Sequence, residues 1–318
     1  MNEHATSLDD IVAARARIVR HIHQTPVFTS RTLDRLAGRK LFFKCENLQR
    51  GGSFKLRGAL NAVLSLPREA AERGVVTHSS GNHAQALAMA ARIRGIAAHV
   101  VMPTSAPAVK RRAVIGYGAR VIDCEPTLPA RERTAREVVE DTGAVLVPPY
   151  DHADVIAGQG TVALELFEQV PELEAVVVPV GGGGLISGIA IATKSQLPDV
   201  KVFGAEPSGA DDAARSKAAG ELVALDHPNS IADGLLAGLG ALTWPVVRDR
   251  VDWIVTVDDA EIVAALRLFF ERVKLVVEPS GAVSVAAVLA DAFRSLPGLG
   301  RVGVVISGGN VDLGALPF

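Results

Sequence analysis

Lys55 stands in Gly52-Ser53-Phe54-Lys55-Leu56-Arg57-Gly58-Ala59, a lone amine among small residues just ahead of a helix-friendly stretch. A lysine amine is a group that condenses with a carbonyl. Far along the chain, Gly181-Gly182-Gly183-Gly184 follow the strand-like Val176-Val177-Val178-Pro179-Val180. Glycine disfavours regular structure, so four in a row mark a place where backbone must approach something closely. The helix expected from Leu185 to Thr193 turns its free N–H groups and positive dipole end toward that loop, which suits an anion. The run is not the dinucleotide fingerprint, because neither G-x-G-x-x-G spacing nor the acidic residue about 20 positions on is clearly present. An amine for a carbonyl and a loop for a phosphate together suit pyridoxal 5'-phosphate. Singly, each has a plain reading: a serine N-cap with an exposed basic first turn, or a turn that holds some other phosphate.

These residues need elements to carry them. Strands are expected over Lys40-Cys45, Gly74-His78, Ala97-Met102, Arg120-Cys124, Val145-Pro148, Ala175-Val180, Lys201-Glu206, Trp253-Val257 and Val302-Ser307. Helical patterns lie between them, among them Ala84-Arg94, Ala130-Thr142, Gly160-Gln169, Ala260-Arg272 and Ala282-Arg294. Continuous valine and isoleucine runs alternating with helices predict parallel strands buried on both faces. The expected fold is α/β, two lobes each built on an open, mostly parallel sheet covered by helices, with ligands outside the carboxyl ends of the strands. The polar clusters obey that rule. Ser79-Ser80-Gly81-Asn82-His83, the glycine run, Glu206 and Ser307-Gly308-Gly309-Asn310 each follow an expected strand. Pro148-Pro149-Tyr150-Asp151 reads as a crossing between lobes.

At 318 residues the chain exceeds the usual size of one core. Its 33 basic against 35 acidic residues give a net charge of −2, without a basic block, which argues against nucleic acid as a partner. No apolar run of about 18 residues occurs, so no membrane span is expected. The start lacks a secretory pattern, and Cys45 and Cys124 have no paired spacing; a cytoplasmic protein without disulfides is expected.

Further marks accumulate in order: Thr25-Pro26, Lys44-x-Glu46-Asn47-Leu48-Gln49, the Lys55 segment, Ser80-Gly81-Asn82-His83-Ala84-Gln85, Val155-Ile156-Ala157-Gly158-Gln159-Gly160-Thr161, the tetraglycine run, Ala232-Asp233-Gly234 and Ser307-Gly308-Gly309-Asn310. The chain resembles the fold-type II, tryptophan synthase β-like pyridoxal-phosphate enzymes, in the threonine dehydratase and serine racemase branch. The resemblance covers nearly the whole chain. It implies a large cofactor-binding domain from residues 1–73 and 151–318, a small substrate-side domain from 74–150, and a homodimer.

The resemblance also implies roles. Lys55 would link to the cofactor aldehyde and, once freed by the substrate amine, take the α-proton. Asn82 would meet the cofactor's 3'-oxygen, Gly181 to Gly184 its phosphate, and Ser307 its pyridine nitrogen. Ser307 is neutral, so the ring stays a weaker electron sink than one with a carboxylate partner. Phe54 lies beside the ring or packs in the core. Ser79, Ser80, Asn82 and His83 would bind the substrate carboxylate. Arg131 is a substrate-side arginine or an exposed helix residue. Glu206 and Asp212, six positions apart around a glycine-containing loop, form a solvated acidic turn or, with the Ala210 carbonyl, hold Mg²⁺ or Ca²⁺.

The reaction expected is β-elimination from L-threonine or L-serine to a 2-oxo acid and ammonia. Serine racemisation and elimination from 3-hydroxyaspartate are the alternatives, and a phosphate-binding regulatory protein is the non-enzymatic one. Racemisation needs a second acid on the opposite face, for which Ser80 is the evident residue; Tyr150 is a dehydratase-like spelling. The chain stops soon after Ser307, so an isoleucine-responsive C-terminal domain is not expected.

Overall fold

The computed structural model describes residues 4–79, 81–106 and 108–318. Among them, ten strands form two sheets. They are β1 Val27–Phe28, β2 Lys40–Cys45, β3 Val75–Thr77, β4 Ala98–Pro103, β5 Arg120–Cys124, β6 Val145–Leu146, β7 Ala175–Pro179, β8 Lys201–Pro207, β9 Trp253–Val257 and β10 Arg301–Ile306. The six-stranded sheet runs β1-β2-β10-β7-β8-β9 and the four-stranded sheet β5-β4-β3-β6. All pairings are parallel except β1 with β2.

The valine runs explain this arrangement. In β7 every residue is buried, with Val176 and Val178 in the core on one face and Ala175 and Val177 in the core on the other. A strand covered on both sides has no polar face to show, so its sequence reads as one apolar run. The four-stranded sheet has its own core, where Val75 and Val100 meet Leu87. Into that core the Lys55–Ser65 helix sends Leu56, Ala59, Leu60 and Val63.

Some expected boundaries moved. The strand expected over Lys201-Glu206 runs one residue further, to Pro207, so Glu206 lies within β8. The helix expected from Gly160 begins at Ala153, because Gly158 and Gly160 are packing glycines and not breakers. A Cβ on Gly158 would lie 2.5 Å from the Arg57 carbonyl oxygen. The helix expected over Ala260-Arg272 gives way to a π-helical turn at Phe269–Val273, and that over Ala282-Arg294 is interrupted at Ala290.

Candidate active site at the carboxyl ends of the strands

Backbone pairing brings the first two motifs together. The Phe54 N–H donates to the Ser307 carbonyl at 3.0 Å, Gly309 N–H donates to Gly52 O at 2.9 Å, and Ser53 bridges Gly308. Ser307, directly after β10, is therefore the neighbour of the residue before Lys55. The Lys55 amine donates to Pro149 O at 2.9 Å and stands 5.0 Å from the Phe54 ring centroid. Phe54 is half-buried and packs on the large-sheet core, the second of its two expected positions. Lys55 keeps some surface in the cleft, yet the protein around its amine strips away bulk water. Burial pushes its pKa down to about 8, opposed by the charge of Glu278.

The glycine run follows β7 and opens the Gly184–Gln196 helix. Gly183 takes a left-handed φ of 83°. None of the four glycine N–H groups meets an acceptor among the described residues. Four buried donors at a helix start make a cradle for an anion. The loop is braced from behind, because Thr243 Oγ1 donates to Gly182 O at 2.9 Å. Thr243 is itself fixed by Asp151, whose carboxylate accepts the N–H groups of Ala241, Leu242 and Thr243 at 3.1, 2.8 and 3.2 Å. Tyr150 covers Gly182 so closely that a Cβ there would lie 2.4 Å from its ring.

Opposite lies the turn after β3. Ser80 lies outside the described residues. Ser79 Oγ accepts the Gly81 N–H at 3.4 Å, and the helix Asn82–Arg94 begins next. Asn82 donates from Nδ2 to Glu278 Oε1 at 2.7 Å and accepts at Oδ1 from Asn310 Nδ2 at 2.9 Å. His83 is buried with Nε2 3.0 Å from Val147 O, so Nε2 carries the proton. Burial, with Lys55 adding to it, lowers its pKa to about 3. The imidazole is thus neutral and committed to backbone; what His83 can offer an anion is its own N–H at the helix start. Arg131 is half-buried at the start of the Leu128–Thr142 helix, and its guanidinium makes no hydrogen bond or ion pair among the described residues. Burial holds the His78 pKa down, and the Arg131 charge adds to this.

Sequence reasoning assigned no role to the charges behind Lys55. Lys44, Glu46, Arg57 and Glu165 are all buried. Arg57 donates from Nε and Nη2 to Glu46 at 2.8 and 2.9 Å, and from Nη1 and Nη2 to Glu165 at 2.7 and 2.8 Å. Its remaining N–H reaches Thr161 Oγ1 at 3.2 Å. Lys44 spends its three donors on Thr25 O, Glu165 Oε2 and Gln169 Oε1 at 2.8, 2.7 and 2.9 Å. Two cations and two anions therefore tie β2, the Lys55 helix and the Ala153–Gln169 helix into one fully bonded knot. Charged residues inside the core-facing Lys44-x-Glu46 and Arg57 segments were the available signal. Glu278, buried and pushed up to about 8 by burial and Asp233, was also missed; a lone Glu before Pro279 carries no mark in the sequence.

The Glu206 carboxylate accepts the N–H groups of Ala213 and Ala214 at 3.1 and 2.9 Å. Asp212 Oδ2 accepts from Leu239 N–H at 3.0 Å, while its buried Oδ1 has no partner among the described residues. Burial, and then the neighbouring Asp212 charge, pushes the Glu206 pKa up to about 8. Ala210 is buried beside them, whereas Asp211 pairs outward with Arg215 at 2.7 Å. Among the described residues no group of three or more His, Cys, Asp or Glu side chains could hold a metal. Two carboxylates, one with an unspent oxygen, plus a carbonyl suit a hard cation. A surface depression of about 550 Å³ beside Asp252 and Trp253 opens at the opposite ends of the strands. Two of its three carboxylates, Glu174 and Asp252, are taken up by backbone N–H groups and lysines; the third is Asp199.

Residues 18–308 match the family model described as "Pyridoxal-phosphate dependent enzyme". The chain is 54% identical over 317 residues to a serine racemase of Arabidopsis thaliana, covering 99% of this chain and 96% of that one. It is 49% identical over 312 residues to a beta-hydroxyaspartate dehydratase of Paracoccus denitrificans, covering 98% of each. The solved structure of maize serine racemase superposes with a TM-score of 0.97 at 51% identity, covering 98% of this chain and 96% of that one. The lysine amine and the glycine cradle thus find their explanation in kinship: the chain belongs to the pyridoxal-phosphate dependent enzymes, of fold type II.

Proposed function

We propose that the protein is an amino-acid racemase acting on serine, with β-elimination as a second outcome of the same proton removal. The near full-length similarity to a serine racemase, at 54% identity, carries this reading and moves it away from the dehydratase expected first. The cofactor, when bound, draws electrons from the substrate's α-carbon and so makes its proton removable. Lys55, with an amine pKa near 8, is the base on one face. Ser80 is the hydroxyl acid on the other. Gly181 to Gly184 hold the phosphate, Ser307 faces the ring nitrogen, Phe54 flanks the ring, and Asn82 donates to the 3'-oxygen. Ser79 and the backbone N–H groups of Asn82 and His83 receive the substrate carboxylate. The lobes are the division of residues 1–73 with 151–318 from 74–150.

Glu206, Asp212 and the Ala210 carbonyl hold Mg²⁺ or Ca²⁺, which offsets the repulsion of two buried carboxylates. Elimination follows when the substrate hydroxyl takes up the proton that Lys55 removed and leaves as water before the α-carbon is reprotonated; water then hydrolyses the unsaturated amine to a 2-oxo acid and ammonia. A second reading, elimination from 3-hydroxyaspartate, is favoured by the half-buried Arg131, whose unspent guanidinium suits a second substrate carboxylate. The test is a panel of L-serine, D-serine, L-threonine and both 3-hydroxyaspartate isomers, assayed for inverted amino acid and for 2-oxo acid. Inversion of serine supports the first reading; turnover of 3-hydroxyaspartate alone replaces it with the second.

A further inference from the structure

Glu278 has no part in the roles above, yet it touches two of the motif loops. Its Oε1 accepts from Asn82, and a Cβ on Gly308 would lie 2.3 Å from that same oxygen. Its backbone N–H donates to Gly308 O at 3.1 Å. On the far side of Asn82, Asn310 splits its two N–H groups between Asn82 Oδ1, at 2.9 Å, and Gly51 O, at 2.7 Å. Asn310 approaches this closely because position 52 is glycine; a Cβ there would fall 2.3 Å from Asn310 Oδ1.

The bonding capacity of Asn82 is then nearly spent. A side-chain amide has one oxygen and two N–H groups. Asn310 occupies the oxygen, Glu278 takes one N–H, and one N–H remains. Turning the amide over would set oxygen against the Glu278 oxygen and NH₂ against the NH₂ of Asn310. Gly51 O fixes which group Asn310 presents, so Asn310 and Glu278 hold the amide from its two sides together.

We propose that Glu278 is a positioning residue that acts through Asn82, fixing the amide so that a donor N–H faces the cofactor's 3'-oxygen. This rests on the reading that places Asn82 at that oxygen. A donor there stabilises the ionised 3'-oxygen, whereas an acceptor would select the protonated form, and the two forms absorb at different wavelengths.

The test uses holoprotein and apoprotein of the parent, Glu278→Gln, Glu278→Ala, Asn82→Ala and the Glu278→Ala/Asn82→Ala double variant. Two readouts are taken: the absorption spectrum of bound cofactor, and the cofactor dissociation constant from titration of apoprotein. Glu278→Gln keeps an acceptor oxygen of the same reach and should keep the parental spectrum. Glu278→Ala should shift the spectrum toward the shorter-wavelength form and weaken cofactor binding about tenfold, the worth of one such hydrogen bond. The double variant should bind no more weakly than Asn82→Ala. A parental spectrum and affinity in Glu278→Ala, or full additivity in the double variant, overturns the proposal. Should Glu278→Ala not fold, a Gln variant shifted as far as Asn82→Ala overturns it equally. A parental Asn82→Ala removes the placement of Asn82 and the proposal with it.

Discussion

A buried amine that titrates near 8 instead of 10.5 is a better nucleophile at neutral pH than an ordinary lysine. Mixing apoprotein with pyridoxal 5'-phosphate should give imine formation, followed by absorbance, whose rate rises with pH and levels off above about 8. A rise that continues toward 10.5 would show Lys55 to be solvated. His83 gives a separate signature. Its pKa is depressed from 6.5 to about 3, so its contribution to stability is complete above 6.5 and is lost as pH falls toward 3. The slope in that window should approach about 1.4 kcal/mol per pH unit in denaturant titrations. His83→Gln, which can still donate to Val147 O, should flatten it. Ser80→Ala should reduce serine inversion by about 10²-fold or more while sparing elimination, measured as D-serine against pyruvate. Lys55, the glycine run and Ser307 were legible in sequence because each needs a rare residue at a fixed place after a strand. The neutrality of His83 was not, since it depends on a carbonyl 64 positions away.

Helices rather than strands concealed their construction. Strands β2, β5 and β9 stand at the residues expected, because each is a short β-favouring run set between helical patterns. The start of the Ala153–Gln169 helix was hidden, because glycine in a helix signals breakage unless the partner helix is known. Gly58 and Gly158 face each other there, beside the charge knot centred on Arg57. The knot fixes the Lys55 helix two residues from the amine, while being neutral overall and so placing little net field on it. Arg57→Met should cost about 3–5 kcal/mol, because Glu46 and Glu165 would be left buried without their common partner. Chemical unfolding of the holoprotein measures this. A loss below about 1 kcal/mol would show that water reaches the site.

At the scale of the molecule, two sheets present their motif-bearing ends to one cleft, and Lys110 pairs across it with Asp233 at 2.6 Å. The proposed cation site belongs to the same architecture. Asp212 holds Leu239, and the Leu239 side chain packs at Gly183, where a Cβ would lie 2.7 Å from it. Mg²⁺ or Ca²⁺ should therefore raise the melting temperature of chelator-treated protein, adding about 2.7 kcal/mol at a hundredfold excess over Kd. Asp212→Asn should lose that response. A parental melting curve indifferent to both chelator and cation would leave Glu206 and Asp212 as a buried acidic turn.

The four glycine N–H groups have one more consequence. Donors buried at a helix start with no protein acceptor favour the folded chain only when an anion completes them, so a newly made polypeptide passes through a weaker form until it captures the vitamin-derived phosphate. Cellular abundance of this protein is then expected to follow vitamin B6 supply even when its synthesis is constant.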